Sequence, residues 1–518
     1  MRSLLEVVDG EGRGRVGALG VRPLHVAIVA LGVLIAALLP LGKPALVIAA
    51  AAGVLVVIPI LANPRLGLYL TIAAIPLEEV GKLGKVLPFV NITVVKLFAL
   101  LTLCAWLLHL VSRRIDFVWR PEAGLLLLYL VAGALSLVDA AEVGRGLQEM
   151  VIFASTALFF IMVFNVLRTK RQLLTALVVL SVVSAGTFAY AGVQRVVSGT
   201  EIAERVGWLE EGEAAAGVEI SNIEAATVGT VRRSTGTTAH SNVLAANTAF
   251  LFSVLAGLLA LTRRPILRLL ALAGMVCCLV GAVVSLSRTG MLTYVIVVPL
   301  LLFAGLLRIT PMRVVLVLVA AVLSIPFLPE GVSRILDPTN YFSTSSVSVS
   351  ERLKLWQAAA AAFVDHPFNG MGIGNNRGIF DYYHNPWNPG LLTVHSSYLQ
   401  ILVETGLPGL LVLGYFFQRV IRLFLRARVL FARQHDRTGF VLATSLLISF
   451  VSFLLIGAIA FDFMRIGFKN MWLFIGCSVV LYHVAIEQAR AAEHRPGAPG
   501  GLSEPRPATY EGRRAHHV

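Results

Sequence analysis

The chain has 518 residues, of which 57% are hydrophobic and only 14% charged, and its mean hydropathy of +0.81 excludes an ordinary soluble globular domain. Its formal net charge of +14 would suit nucleic-acid binding in a soluble domain. Here the cations recur between apolar runs, where they set membrane orientation, so nucleic acid is discounted as a partner. The fold expected is all-α, a polytopic transmembrane helix bundle.

Residues 1–23 carry Glu6, Asp9 and Glu11 among several arginines and no small-residue cleavage site, which reads as a cytoplasmic tail and not a signal peptide. A polytopic membrane domain then fills 24–487. A helix needs about 20 mostly apolar residues to cross the hydrocarbon, and on that rule about 14 spans are expected. They fall near 24–42, 44–62, 65–77, 93–112, 122–138, 147–167, 172–194, 242–262, 266–286, 290–307, 312–328, 396–418, 439–460 and 469–487. The third is short, and the second and third could form a re-entrant pair. Cys104, Cys277, Cys278 and Cys477 all lie in apolar runs and are expected to be small buried hydrophobes, with neither a disulfide framework nor a metal motif.

With the N-terminus inside, each short inner loop is basic: Arg65; Arg113, Arg114 and Arg120; Arg168, Lys170 and Arg171; Arg263, Arg264 and Arg268; Arg308 and Arg313; and a run from Arg419 to Arg437. Cytoplasmic loops are enriched in Lys and Arg, so this alternation places two long loops, 195–241 and 329–394, outside. The stretch 201–224 in the first is acidic and Ala-rich and reads as solvated surface with at most one short helix. Residues 488–518, rich in Ala, Arg, Gly and Pro, read as a disordered cytoplasmic tail. No repeat of fixed period is present.

Hydrophobicity does not account for 351–409. This polar, Gly-rich segment separates two long apolar runs, and chemistry is expected there. Arg352 opens a strong helix former with Leu353, Trp356, Ala360 and Phe363 on its apolar face; pairing with Asp365 is its bland alternative. Gly370, Gly372 and Gly374 invite a nucleotide-loop reading, which is rejected because no strand precedes them; the loop is either a tight turn or a nest of backbone N–H groups for an anion. His395 stands at the start of a short helix that the Gly406 and Pro408 stop signal should end or kink. A histidine there suits general-base work, although a lone His is more often structural. Tyr398 follows one turn on. Glu404, nine residues from His395, faces away from it on an unbroken helix and has no assigned role.

Two further polar breaks should share the outer side. Arg288 interrupts an apolar stretch within Ser285-Leu286-Ser287-Arg288-Thr289-Gly290, and a cation beside hydrocarbon is a functional candidate by default, against the alternative of a plain hairpin turn. Arg232, Arg233, His240 and Asn242 occur where the first long loop re-enters the membrane, with interfacial anchoring as the competing reading.

Ser287-Arg288-Thr289-Gly290, Arg352 with Trp356, His366-Pro367 with Gly370, Gly372 and Gly374, and His395-Ser396-Ser397-Tyr398-Leu399 with Glu404, Gly406 and Gly409 together resemble the O-antigen ligase and O-antigen polymerase superfamily. The resemblance covers 281–409; His240-Ser241-Asn242 is similar to a further polar element, with His where Pro is common. It implies a multi-pass enzyme of the bacterial cytoplasmic membrane, active on the extracytoplasmic face without metal or cofactor. Its donor would be an undecaprenyl-diphosphate-linked glycan and its acceptor another glycan or lipid A core, with membrane lipid and possible chain-length regulators as partners. Arg288, Arg352 and His395 would be catalytic; Arg233, His240, Asn242, Gly370, Gly372, Gly374 and Tyr398 would bind substrate.

Fixed guanidinium groups can stabilise a departing diphosphate bidentately, and the chain contains no Asp-x-Asp pair, which weakens a nucleotide-sugar alternative. The span count and the long second loop lean towards polymerase over ligase. A flippase or secondary transporter is the alternative of another class. It fits less well, since transporters show repeat symmetry and charges near the midplane.

Overall fold

The computed structural model describes residues 56–77, 82–87, 90–197, 227–228, 231–232, 234–238, 241–285, 287–307, 347–376, 394–458 and 469–493. The helices among them are α1 (Pro64–Ala74), α2 (Val94–Val111), α3 (Pro121–Ser136), α4 (Val143–Val166), α5 (Lys170–Val197), α6 (Ser241–Leu261), α7 (Pro265–Val284), α8 (Arg288–Phe303), α9 (Val347–Asp365), α10 (Ser397–Arg433), α11 (Arg437–Gly457) and α12 (Lys469–Glu493). Two small antiparallel hairpins join them, β1 (Lys82–Leu87) with β2 (Val90–Thr93) and β3 (Thr227–Val228) with β4 (Val231–Arg232). The fold is otherwise helical.

Nine helices among the described residues are long and apolar enough to cross a membrane, and α1 and α8 are shorter apolar helices. Together they occupy eleven of the expected span positions. The positions 24–42 and 312–328 lie outside the described residues, as does most of 44–62, so the total of about 14 stands as an expectation. The tail 1–23, the acidic stretch 201–224 and all of the final tail beyond Glu493 are likewise outside them. Two boundaries and one burial differ from the sequence reading. Helix α10 continues through Arg419 and Arg426 to Arg433, where an inner loop was expected, α12 runs on to Glu493, and of the four cysteines only Cys278 and Cys477 are buried, Cys104 being exposed on α2. A helical Arg-rich extension costs nothing once it has left the hydrocarbon, because arginine is a good helix former.

Local chemistry marks the helix starts. Asn63 accepts from the N–H of Arg65 at 3.1 Å, Thr93 from that of Lys96 at 3.3 Å and Asp436 from that of Gly439 at 3.0 Å, each relieving an orphan donor of the first turn. Pro64, Pro121 and Pro265 stand at first-turn positions, where a missing N–H costs nothing.

Hydrogen bonds between connectors sort the helix ends. At one end Arg120 Nη2 donates to His483 Nδ1 (2.8 Å), Lys170 pairs with Asp436, Gln434 Nε2 donates to the Ala485 carbonyl (2.8 Å) and Arg437 Nη2 to that of Ala260 (2.9 Å). At the other, Thr237 Oγ1 donates to the Pro76 carbonyl (2.5 Å), the N–H of Gly236 to Gln194 Oε1 (3.0 Å), that of Ser234 to the Val284 carbonyl (3.2 Å), and Tyr398 Oη to the Leu454 carbonyl (2.7 Å). Successive helices therefore alternate in direction, and the basic connectors collect at one end.

The centre is formed by α6, α11 and α12, the most enclosed of the spans. Phe160, Phe416, Trp472, Phe153 and Tyr129 pack ring against ring between α3, α4, α10 and α12. Glu122, 2% exposed, accepts from Arg419 Nε and Nη2 at 2.9 and 2.7 Å, so the charge buried with α3 is neutralised by α10. Close helix approach depends on small residues, since lipid supplies no hydrophobic drive between helices. At Gly257 of α6 a Cβ would lie 2.7 Å from Ser445 Oγ of α11. Gly257→Val should lower stability by about 1–3 kcal/mol by overpacking this crossing, read as a shifted unfolding midpoint in detergent. Adding Ser445→Gly should recover part of the loss.

Candidate functional site

Loop 366–376 links α9 towards α10 and is held from two sides. Against α10, the N–H of Met371 donates to the Val403 carbonyl (2.8 Å), and that of Leu407 donates to the Pro367 carbonyl (2.9 Å). Against the α3–α4 connection, the N–H of Ile373 donates to Ser136 Oγ (3.0 Å) and the N–H of Glu142 to Asn375 Oδ1 (2.9 Å), while Asn369 Nδ2 donates to Asp139 Oδ2 (3.3 Å). Gly370, Gly372 and Gly374 take φ of 69°, 96° and 79°, conformations that glycine adopts without steric cost. At Gly370 the approach also demands glycine, because a Cβ would stand 2.6 Å from the backbone of Glu404. The N–H groups of Gly370 and Asn375 close turns within the loop, on the His366 and Gly372 carbonyls, and those of Met371 and Ile373 tether it to its two walls.

That loop seats on a kink. Gly406 has φ 65° and ψ −171°, a region essentially reserved for glycine, and interrupts α10 two residues before Pro408, whose missing N–H could not have continued a regular ladder. The expected stop signal thus kinks the helix without ending it. Below the kink lies a buried polar cluster. Glu404, 2% exposed, accepts from Asn376 Nδ2 of the loop and from Gln400 Nε2 at 3.1 Å. Asn376 Oδ1 and Ser397 Oγ are buried without a hydrogen-bond partner among the described residues.

His395 is half-buried and takes φ 51°, uncommon for a residue with a Cβ. The turn it makes is fixed on one side by Trp356 Nε1 of α9, which donates to the Val394 carbonyl at 3.1 Å, and on the other by the start of α10 at Ser397. Arg352 lies one turn ahead of Trp356 in α9. Tyr398 is committed to α11 through the Leu454 carbonyl, a bond that anchors the His395 helix.

Arg288 opens α8 after the cap residue Ser287, whose Oγ accepts from the N–H of Gly290 (3.2 Å) and donates to Asn242 Oδ1 in the first turn of α6 (2.7 Å). Antiparallel α6 and α11 are tied by Ser449 Oγ donating to the Phe250 carbonyl at 2.6 Å, so the Asn242 end of α6 and the Leu454 end of α11 coincide. Arg288, Arg352, His395, Asn242, Tyr398 and the glycine loop therefore share the end of the bundle opposite the basic connectors. Arg233 and His240 fall outside the described residues. Among the described residues no three His, Cys, Asp or Glu side chains gather as a metal site.

Sequence reasoning missed Ser136, Asp139 and Glu142 as the loop's far support, since nothing in their local pattern distinguishes them from an ordinary helix end. Asn376 and Gln400 were also passed over. Gln400 had a local signal, one turn before the lone acid of its helix, whereas Asn376 lies 28 residues from Glu404 and had none.

These features define a class: a polytopic helical membrane protein with a braced, Gly-rich polar site at one end of its bundle. Residues 273–414 match the family model described as O-antigen ligase, in line with the resemblance drawn from the motifs. No curated protein matches the chain. The matched segment contains α8, α9, the glycine loop, His395 and the kink, so the resemblance drawn from motifs alone falls where the site is built.

Gly406→Ala should destabilise the protein by about 1–3 kcal/mol from its backbone conformation alone. The new Cβ would also collide with the Phe368 carbonyl, so the measured loss in a denaturant titration should exceed that of Gly414→Ala, where no atom lies near.

Proposed function

We propose that the chain is a membrane glycosyltransferase that transfers a glycan from undecaprenyl diphosphate to an acceptor sugar on the extracytoplasmic face of the bacterial inner membrane. The observation that carries this reading is the placement of Arg288, Arg352 and His395 at one bundle end within the segment matched to the ligase family. The opposite end carries the basic connectors, as expected of a cytoplasmic face.

In the reaction we infer, the acceptor hydroxyl oxygen attacks the anomeric carbon as the bond from that carbon to the diphosphate oxygen breaks, inverting the centre. His395 takes the hydroxyl proton. Undecaprenyl diphosphate leaves with the electron pair, and the guanidinium groups of Arg288 and Arg352 stabilise the charge it gains. Arg233, His240, Asn242 and the glycine loop would line the donor and acceptor path. Buried Ser397 Oγ, two residues from His395, offers further hydrogen-bonding capacity there. The N–H groups of Gly370, Met371, Ile373 and Asn375 hold the loop's shape, which leaves those of Gly372 and Gly374 as its candidate donors to the diphosphate.

The long second loop of the sequence favours polymerisation of a surface polysaccharide or O-antigen. The family description favours a second reading, ligation to lipid A core. Glycan analysis of a deletion strain complemented with wild type, Arg288→Ala, Arg352→Ala or His395→Ala separates them. Each variant should insert normally and lose transfer by at least about a hundredfold, the scale of a lost general base or oxyanion donor. Single lipid-linked repeats without polymer would establish polymerase action; lipid-linked polymer with bare core would establish ligation. Full transfer by well-inserted Arg352→Ala or His395→Ala protein would defeat the assignment.

A further inference from the structure

Two carboxylates are buried among the described residues, Glu122 and Glu404. Glu122 is neutralised by Arg419 at the basic end, whereas Glu404 lies beside the candidate site and has no part in the reaction assigned there. It stands two residues before the Gly406 kink, in the stretch of α10 against which the glycine loop rests. Its Oε1 accepts from Asn376 Nδ2 and from Gln400 Nε2, the latter at 3.1 Å. A single oxygen thereby joins the end of loop 366–376 to the opening turn of α10. Gln400 carries the contact further, because its own N–H donates to the Ser396 carbonyl at 2.9 Å and closes the first turn after His395.

An ionised carboxylate only accepts hydrogen bonds, so it dictates which end of each amide faces it. For Asn376 the choice leaves Oδ1 buried without a hydrogen-bond partner among the described residues, a cost that buried amides usually avoid. Replacing apolar side chains by a carboxylate and two amides seldom raises stability; what such a cluster supplies is one fixed arrangement of the elements it joins. The elements here are the glycine loop and the helix that begins behind His395. On its other side His395 follows Val394, whose carbonyl Trp356 of α9 holds.

We propose that Glu404 is a positioning residue of the transfer site: its carboxylate locks loop 366–376 to the opening turn of α10 and so fixes where His395 stands relative to the loop. The role rests on the reaction proposed above and adds no step to it. Glu404 lies nine residues along the chain from His395 and acts through Asn376 and Gln400, without touching substrate.

Transfer by the purified full chain, with lipid-linked glycan and acceptor extracted from the deletion strain, tests this alongside hydrogen exchange of residues 366–376. Asn376→Asp sets two carboxylates against each other; kcat should fall by about ten- to a hundredfold at unchanged donor KM, the scale of a misplaced reacting group, and the loop should exchange faster. Gln400→Met, which removes the other donor without adding charge, should give a smaller loss of the same kind. Glu404→Gln should keep most of kcat, because the introduced amide still presents an oxygen to both donors. Combined with Asn376→Asp it should recover both readings, the amide at 404 now donating to the carboxylate at 376 while accepting from Gln400. The pH dependence of kcat should keep its shape throughout, since the group that titrates in the reaction is His395. Glu404→Gln protein as inactive as His395→Ala would make Glu404 a proton carrier and overturn the positioning role. So would a double variant no better than Asn376→Asp, or Asn376→Asp and Gln400→Met proteins that lose melting temperature alone and keep full kcat per folded molecule. Absence of transfer by wild type, or full transfer by His395→Ala, would instead remove the reaction on which the role rests.

Discussion

A backbone that leaves its helix at the edge of hydrocarbon must find partners for its N–H and C=O groups within the protein. Loop 366–376 meets this demand by bonding to two different walls, the kink of α10 and the α3–α4 connection. Everything polar at that end follows from the arrangement. The loop's glycines allow backbone to lie against backbone at Glu404, and Asn376 carries the contact inward to the buried carboxylate. With the loop seated, α9 is held in place for Trp356 to reach the residue before His395. The chemistry proposed for His395 therefore depends on a set of neutral hydrogen bonds made elsewhere.

The bundle separates two kinds of charge. Cations gather at the basic end, where the Lys170–Asp436 and Arg120–His483 pairs link connectors distant in sequence. Among the described residues at the other end, the buried polar groups are amides and hydroxyls around the carboxylate of Glu404, while Asp139 and the Glu142–Arg145 ion pair stand beside the glycine loop.

Much of this was legible in the sequence because membrane spans announce themselves by length and apolar content, and basic connectors by alternation. The helix through Arg352 and Trp356, the break at Arg288 and the disturbance at Gly406 were each visible as local chemistry. What was hidden involved pairing across long separations. Nothing local to Ser136 or Asn375 foretells that they meet, and the extension of α10 to Arg433 was obscured because span-finding stops counting where arginines begin. The exposure of Cys104 was hidden for a related reason: an apolar run does not say which face of a helix meets lipid and which meets protein.

The bonds from Met371 to Val403 and from Leu407 to Pro367 lie on either side of Gly406. The loop is thus a splint across a joint: it immobilises both arms of α10 at the point where glycine would otherwise let them swing. Asn376 and Val394, which bound the stretch 377–393, are each moored to a helix, by Glu404 and Trp356 respectively. That stretch departs from one fixed post and returns to another. Changes of composition or length between these posts therefore need not displace His395, because the residue before it is held by Trp356 and the residue before the stretch by Glu404.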